Sequence, residues 1–226
     1  QNTQETYALD VDGNVMYDYK GNPIVMRNGS ERAFPGDAKY EDINHDGVIN
    51  ENDIVYLGNA NPKLIGGGGF QLKYKDFTLT TFFYGRFGQK VINKARMNLE
   101  SMYGTNNQST AVLHRWRSEG DETDIPRALY GMGFNYLGSD RFVEDATFVR
   151  LKTLSLSWNV PKALLKKLNW GVSRANVFIT GYDLFTWTSY KGQDPEVSLP
   201  AATKLVEDNA TTPVSKRFAF GLTLNF

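Results

Sequence analysis

Twelve consecutive residues, Asp42-Ile43-Asn44-His45-Asp46-Gly47-Val48-Ile49-Asn50-Glu51-Asn52-Asp53, set oxygen-bearing side chains at alternate positions around a central glycine. This is the pattern of an EF-hand calcium loop, with Asp where the last ligand is normally Glu. Calcium takes about six to eight hard oxygen ligands, and a tightly curved loop can turn alternate side chains inward to provide them. Asp42, Asn44 and Asp46 would give side-chain oxygens, Val48 its carbonyl, and Asp53 would close the shell. Gly47 permits the sharp turn, and Ile49 can pack beneath the loop. Asp53 is shorter than Glu, so two-oxygen closure is less assured. The competing reading is a hydrated acidic turn without metal. Because the pattern is complete, we expect bound Ca2+ in a structural role, pinning a loop and performing no catalysis. Asp10-Val11-Asp12-Gly13-Asn14 is a weaker echo and reads as a plain turn.

Other chemistry is sparse. The chain has no cysteine, which excludes disulfides, thiolate catalysis and zinc–sulfur sites. Of the two histidines, His45 lies inside the calcium-like loop, pointing outward, and His114 sits in His114-Arg115-Trp116-Arg117, a packing or interfacial setting. No Gly-x-Ser-x-Gly occurs, and Gly66–Gly69 lacks the Lys-Ser/Thr of a phosphate loop, so it reads as a flexible lead into a strand. Glu119, Asp121, Glu122 and Asp124 form a solvated loop. No enzyme activity is expected. Trp116, Tyr130, Phe134 and Tyr136 are candidates for ligand contact, with loop packing as the plainer alternative. Phe185, Trp187 and Tyr190 directly follow a strand. They would be interface residues in a membrane barrel, or a sugar-stacking platform in a soluble protein.

The elements that carry these residues are strands. Formal net charge is zero over 226 residues, so nothing points to nucleic acid. Aromatics make up 13%, which suits a large β-protein. No apolar run approaches the roughly 20 residues of a transmembrane helix, which leaves barrel strands open because they are short and alternating. Residues 1–63 form a loop region with small hairpins, closely punctuated by turn signals. Residues 64–226 hold the strands. Phe70, Leu72 and Tyr74 alternate with Gln71, Lys73 and Lys75, and after a turn at Lys75-Asp76 the run Phe77, Leu79, Thr81, Phe83 continues the alternation. Residues 86–145 read as a long irregular excursion with a helical piece around Val91–Met102. Leu154, Leu156 and Trp158 share one face, whereas Val149 and Leu151 are out of phase with them, predicting a bulge near Lys152. Pro161 stops that strand, and Lys162–Leu168 forms a short amphipathic helical turn. A strand over Arg174 to Leu184 and a last one from Ser215 to Phe226 follow, separated by a loop at 188–214. In the last strand Phe218, Phe220, Leu222, Leu224 and Phe226 face one way.

The connections alternate between short and long, as in membrane barrels. With the C-terminus on the periplasmic side, 86–145 and 188–214 fall outside, and the turns at 75–76 and 160–173 fall inside. The opening Gln1-Asn2-Thr3-Gln4 has no signal-peptide character, and we expect a fragment of something longer.

Taken in order, several stretches resemble the C-terminal part of SusC-like TonB-dependent transporters of the Bacteroidetes outer membrane. They are Pro35-Gly36-Asp37 with Lys39-Tyr40, the Asp42–Asp53 loop, and Gly58-Asn59-Ala60-Asn61-Pro62-Lys63. Arg141–Asp145, Phe148–Lys152, Val160-Pro161-Lys162 with Leu164-Leu165, Gly192-Gln193-Asp194-Pro195-Glu196-Val197 and the terminal aromatic strand complete the series. The resemblance implies an all-β fold: the last antiparallel strands of a large plugged barrel of about 22 strands, not closed by this chain alone. It also implies an outer-membrane location, a SusD-like surface lipoprotein as partner, TonB engaged through a part upstream, and uptake of oligosaccharides or peptides. Phe226 would serve as the assembly signal at the membrane interface. The imported substrate is not legible. The alternative is a soluble calcium-stabilised β-domain that binds carbohydrate. Isolated strands of the first kind would expose two unpaired edges and an apolar stripe, so such a piece should associate with further chain, with itself or with detergent.

Overall fold

A computed structural model describes residues 7–168, 171–197 and 206–226. In chain order its elements are β1 (Arg27–Asn28), β2 (Glu31–Arg32), β3 (Val48–Ile49), β4 (Leu64–Tyr74), β5 (Phe77–Phe87), β6 (Lys90–Asn93), α1 (Lys94–Glu100), β7 (Val143–Asp145), β8 (Phe148–Asn159), α2 (Lys162–Leu168), β9 (Arg174–Thr188), β10 (Glu207–Asp208) and β11 (Arg217–Asn225). Two compact units emerge, one from residues 1–57 with 93–142 and the other from 58–92 with 143–226. The expected single division after residue 63 is thus replaced by an interleaved one. The reason is chemical: the segment 93–142 carries Arg127 and Asn135, which bind Asp37 of the N-terminal stretch.

The second unit is built on a five-stranded sheet of order β11-β9-β8-β5-β4, every neighbouring pair antiparallel. One end of it gathers the Lys75-Asp76 turn, the Asn159–Arg174 connection and Asn225, whose carbonyl accepts from the Ser173 amide at 2.7 Å. The other end gathers the two long connections. The turn at Lys75-Asp76 joins the paired residues Tyr74 and Phe77, with Lys75 at φ 53°. Pro161 lies between the end of β8 and the start of α2, and its carbonyl accepts from Leu164 at 2.9 Å.

Pairing runs continuously from Gly66 to Gly69, opposite Gly85 to Phe82. The glycine run is therefore part of β4 rather than a flexible lead. Glycine is needed there because β5 comes so close: a side chain at Gly69 would collide with the Thr81 carbonyl, and one at Gly67 would lie 2.9 Å from both the Phe82 ring and the Phe83 carbonyl. The predicted bulge is present. Phe82 and Phe83 are consecutive in β5, but their partners Thr153 and Leu151 skip Lys152, and the partners of those in β9, Tyr182 and Phe185, skip both Asp183 and Leu184. Asp183 takes φ 53° to make this possible. From β5 to β8 to β9, each strand carries one more residue across that level. The extra residue also brings Val149 and Leu151 into phase with Leu154, Leu156 and Trp158.

A smaller sheet of order β10-β6-β7 sits in the same unit, beside a cluster of Val91, Ala146, Tyr190, Val197 and Val206. The helical piece expected around Val91–Met102 is shorter, since Lys90–Asn93 pair as β6 and only Lys94–Glu100 are helical. Asn93 caps that helix by accepting from the Arg96 amide at 2.9 Å.

In the first unit, Ala8, Met16 and Ile24 form a closed ring of backbone hydrogen bonds. Ala8 donates to Ile24, Ile24 to Met16, and Met16 to Ala8, at 2.8–2.9 Å. Ala8, Met16 and Ile24 lie eight positions apart in turn, and each intervening turn is tied by an aspartate. Asp10 accepts from the amides of Asp12 and Asn14, and Asp18 from those of Lys20 and Asn22. Ala8 packs with Met26, Ala33 and Ile49 in a small core.

Candidate functional site

Antiparallel register places directly paired residues on the same side of a sheet. One face of the five-stranded sheet therefore collects Phe218, Phe220, Leu222 and Leu224 of β11, then Ala175, Val177, Ile179 and Gly181 of β9. It continues with Leu154, Leu156 and Trp158 of β8, Phe77, Leu79 and Thr81 of β5, and Phe70, Leu72 and Tyr74 of β4. Most of these large apolar side chains are exposed. Aromatics mark both ends of the face. Phe77 and Trp158 stack at 6.1 Å beside Tyr74, and at the opposite end Trp187 meets Phe185 at 6.2 Å and Phe83 at 6.4 Å. From the level of Phe77 to that of Gly85 and Trp187 the strand climbs roughly 26 Å. At a tilt of about 40° that is roughly 20 Å of height, close to the apolar band of a membrane barrel.

The reverse face is polar. Ala219, Thr180, Ser155, Thr80 and Gln71 form one row across all five strands. Ser155 and Thr180 share a hydrogen bond of 2.8 Å, and Gln71 Nε2 donates to Thr80 Oγ1 at 3.3 Å. Near the bulge this face becomes charged. Arg150, 3% exposed along its side chain, directs Nη1 to Glu196 at 2.7 Å, Nη2 to Asp194 at 2.5 Å and Nε to Thr186 Oγ1 at 2.8 Å. Lys152, the skipped residue of β8, reaches Glu196 at 2.8 Å and Asp183 at 3.1 Å. Arg217 lies 3.8 Å from Asp183, and Arg86 donates to the Val197 carbonyl at 3.0 Å. Burial pushes the Asp194 carboxyl up, but amide hydrogen bonds from Glu196 and Val214 and the Arg150 guanidinium outweigh it and leave it below the usual carboxylate range.

Sequence reasoning singled out Lys152 and the Gly192–Val197 motif separately and did not join them. Some forty residues of chain separate the two, and only strand register brings them together.

The expected interface aromatics divide. Phe185 and Trp187 are exposed at one end of the apolar face, and Phe226 ends the chain just past the other, 83% exposed along with the rest of the terminal residues. Tyr190 is not an interface residue. It is 7% exposed, packs in the cluster with Val91 and Val197, and donates its hydroxyl to Asp208 Oδ2 at 2.7 Å. Desolvation, reinforced by the Asp208 carboxylate, raises its phenol far above the ordinary value.

The ligand-contact candidates all lie in the first unit, and three of them serve packing. The Trp116 ring covers Gly36, and its buried indole N–H finds no acceptor among the described residues. Phe134 lies against Gly29, while its carbonyl accepts from Tyr40. Tyr136 meets Tyr103 edge-on at 4.8 Å. Tyr130 alone of the four stands in solvent, at 72% exposure.

The Asp42–Asp53 loop turns sharply at His45 (φ 58°) and Gly47 (φ 81°). Its acids are engaged with backbone. Asp42 accepts from Gly47 at 2.7 Å and from Asp46 at 3.2 Å, and Asp53 accepts from Ile43 at 2.9 Å and Asn50 at 2.8 Å. Asn44 Nδ2 donates to Asp46 Oδ2 at 2.9 Å, and Asn50 Nδ2 to the Val48 carbonyl at 3.1 Å. His45 does not point away from the protein, since its Nδ1 lies 3.1 Å from the Leu9 carbonyl. Among the described residues, no three acidic or imidazole side chains converge as a metal centre. The all-oxygen donor set suits a hard cation, while the arrangement closes on its own hydrogen bonds.

An open antiparallel meander with one exposed apolar face, one polar face and long connections at one end is a segment of a β-barrel wall. No family model matches the chain. Among curated proteins it is 36% identical over 164 residues, 72% of its length, to TonB-dependent receptor P26 of Formosa agariphila. It is 28% identical over 225 residues to TonB-dependent receptor P3 of the same organism. Among solved structures, the RagAB peptide transporter matches 80% of the chain with a TM-score of 0.67 and 26% identity. The RagAB peptide importer in its "closed-closed" state matches 99% with a TM-score of 0.62 at 22% identity, a likeness of fold. The chain belongs to the SusC-like TonB-dependent receptors. It spans 16% and 22% of the length of the two curated relatives, and 19% and 22% of the two structures.

Proposed function

We propose that this chain contributes wall strands and outer loops to an outer-membrane importer that takes up oligosaccharides or peptides, energised through TonB and served by a SusD-like surface lipoprotein. The observation that carries this reading is the two-faced sheet, whose apolar side is exposed and bounded by aromatics at both ends. A soluble domain would have to cover such a face, because burying apolar surface contributes about 25 cal/mol per Å2. That argues against the alternative, a soluble carbohydrate-binding domain. Lipid would cover the apolar face, and the polar row would line the interior. The role is transport, not catalysis. The likeness to the RagAB peptide transporter supports peptides, and nothing among the described residues selects against oligosaccharides.

The test is uptake by cells carrying the full-length receptor. Removal of residues 217–226 should abolish both outer-membrane recovery and TonB-dependent uptake, and comparison of labelled peptides with labelled oligosaccharides should identify the class. Recovery of the truncated protein as a soluble monomer would overturn the reading.

Calcium at Asp42, Asn44, Asp46, Val48 and Asp53 is part of the same proposal. The left-handed turn at Gly47 and the hydrogen bond its amide donates to Asp42 give the loop the curvature such a site uses. Binding would redirect Asn44, Asp46 and Asp53 from their present partners. The ion would stiffen the loop.

A further inference from the structure

Near the bulge the polar face carries four cationic side chains of the strands, Arg86, Arg150, Lys152 and Arg217, and two of them, Lys152 and Arg217, approach a strand carboxylate, Asp183. The other carboxylates paired with Arg150 and Lys152 come from one place, Asp194 and Glu196, on the segment Gly192–Val197 that follows β9. Within this set, four cations stand against three carboxylates. The extra residues at the bulge create this setting, since Lys152 and Asp183 are both residues that the neighbouring strand skips.

The way the segment is held matters. Among the described residues, no backbone–backbone hydrogen bond joins 191–197 to a strand. Tyr190 and Val197 anchor its two sides in an apolar cluster. Between those anchors, ion pairs tie the carboxylates of Asp194 and Glu196 to the strand cations, and Asp194 also accepts from the Glu196 amide at 2.9 Å and the Val214 amide at 3.0 Å. Arg150 addresses two different carboxylates with its two terminal nitrogens, and Lys152 shares one of them. Guanidinium forks of this kind recognise carboxylates whatever molecule carries them.

We propose that the Arg150–Lys152 recess is a binding site for ligand carboxylates, and that Asp194 and Glu196 occupy it as a built-in competitor. This rests on the importer reading, in which the polar face lines the path of the solute. A ligand with two carboxylates on neighbouring units, either an acidic peptide or a uronate oligosaccharide, would take over the Arg150 and Lys152 pairs. The two loop carboxylates would then swing out, Asp194 also releasing the Val214 amide, and the segment would stay attached through Tyr190 and Val197. Neutral ligands would leave the segment in place.

Direct binding to the full-length receptor in detergent tests this without requiring uptake, so failure of the importer reading and failure of this one are distinguishable. The probes are tri-glutamate, tri-galacturonate and their neutral counterparts, tri-glutamine and tri-galactose. At least one acidic probe should bind more tightly than its neutral counterpart. Glu196→Gln, which weakens the competitor, should tighten acidic binding by roughly tenfold, and Lys152→Met should weaken it by a similar factor. Binding of both acidic probes shows that carboxylate chemistry suffices, and binding of only one identifies its source. A spin label at Gln193→Cys in the otherwise native receptor, which needs no change in the ion pairs, should become more mobile with the acidic probe and not with the neutral one. Equal affinity for acidic and neutral probes, or a label indifferent to both, would overturn the proposal.

Discussion

The sheet of the second unit and the folded loops of the first solve the same problem by opposite means. In the sheet, backbone groups satisfy one another along continuous ladders, and side chains need only respect which face they are on. In the first unit the strands β1, β2 and β3 are two residues long, and specific side chains do the tying. Asp37, 4% exposed, accepts from Arg127 at 2.6 and 3.1 Å, from Asn135 at 3.1 Å and from the Phe34 amide at 2.8 Å. Glu100 joins Arg96 at 2.9 Å and Arg141 at 2.6 Å. The difference shows where identity matters. A ladder tolerates many residues of the right polarity, whereas a clasp tolerates almost none.

Breaking the Asp37 clasp should give the largest effect. Asp37→Ala leaves Arg127 and Asn135 without their acceptor, at a cost of about 3–5 kcal/mol. Hydrogen exchange should show the loss confined to residues 33–38 and 116–135, with the sheet still protected. The sheet rule is tested by two neighbours on β8 in the full-length receptor refolded into bilayers. Leu154→Arg, on the apolar face, should cost about 2–4 kcal/mol, and Ser155→Arg, on the polar face, no more than about 1 kcal/mol. Equal costs would contradict the assignment of faces. Tyr190→Phe asks whether a clasp also governs the second unit outside its ladders. Leaving Asp208 Oδ2 without the tyrosine donor, while Oδ1 keeps the Ala210 amide, should cost about 1–3 kcal/mol by denaturant titration, and the wild-type Tyr190 phenol should stay silent in an alkaline absorbance titration while exposed tyrosines ionise.

Calcium sharpens the contrast from the other side. Free calcium at ten times its Kd should stabilise the first unit by about 1.4 kcal/mol, and Asp42→Asn should remove that response without altering the sheet. The smallest effect is acid loosening of the eight-residue turns. Backbone hydrogen bonds, with Asn14 the largest for Asp10 and Asn22 for Asp18, hold both carboxyls below their ordinary value of 3.8. Since the folded value is the lower one, the contribution is complete above 3.8 and is lost as pH falls through the folded value. Amide exchange at Asn14 and Asn22, corrected for its intrinsic pH dependence, should rise only in that acidic window.

The same contrast explains what the sequence disclosed. Period-two alternation revealed the strands, their faces and the irregularity at Lys152, because a ladder writes its geometry into polarity. Clasps leave no periodic trace. Asp37 and Arg127 are far apart in the chain, and neither is unusual in composition, so the grouping of 93–142 with the N-terminal residues was illegible. Tyr190 was misplaced for a related reason. Its proximity to Phe185 and Trp187 suggested a shared surface, but the strand ends at Thr188, and two residues later the chain has turned inward to Asp208. The glycines of β4 misled in the opposite direction, since composition shows only flexibility and the collision with the Thr81 carbonyl is visible only once β5 is in place.

The staircase of extra residues, with none in β5, Lys152 in β8, and Asp183 with Leu184 in β9, has a consequence for inheritance. Loss of Lys152 alone would straighten the seam with β5 but leave two residues of β9, Asp183 and Leu184, opposite none in β8, in place of the present offset of one. Loss of Lys152 together with one of Asp183 or Leu184 would keep the one-residue β8–β9 offset and straighten only the seam with β5. Lengths of adjacent strands in this part of the wall should therefore change in concert, so a descendant lineage that drops a residue at one step is expected to drop one at the next.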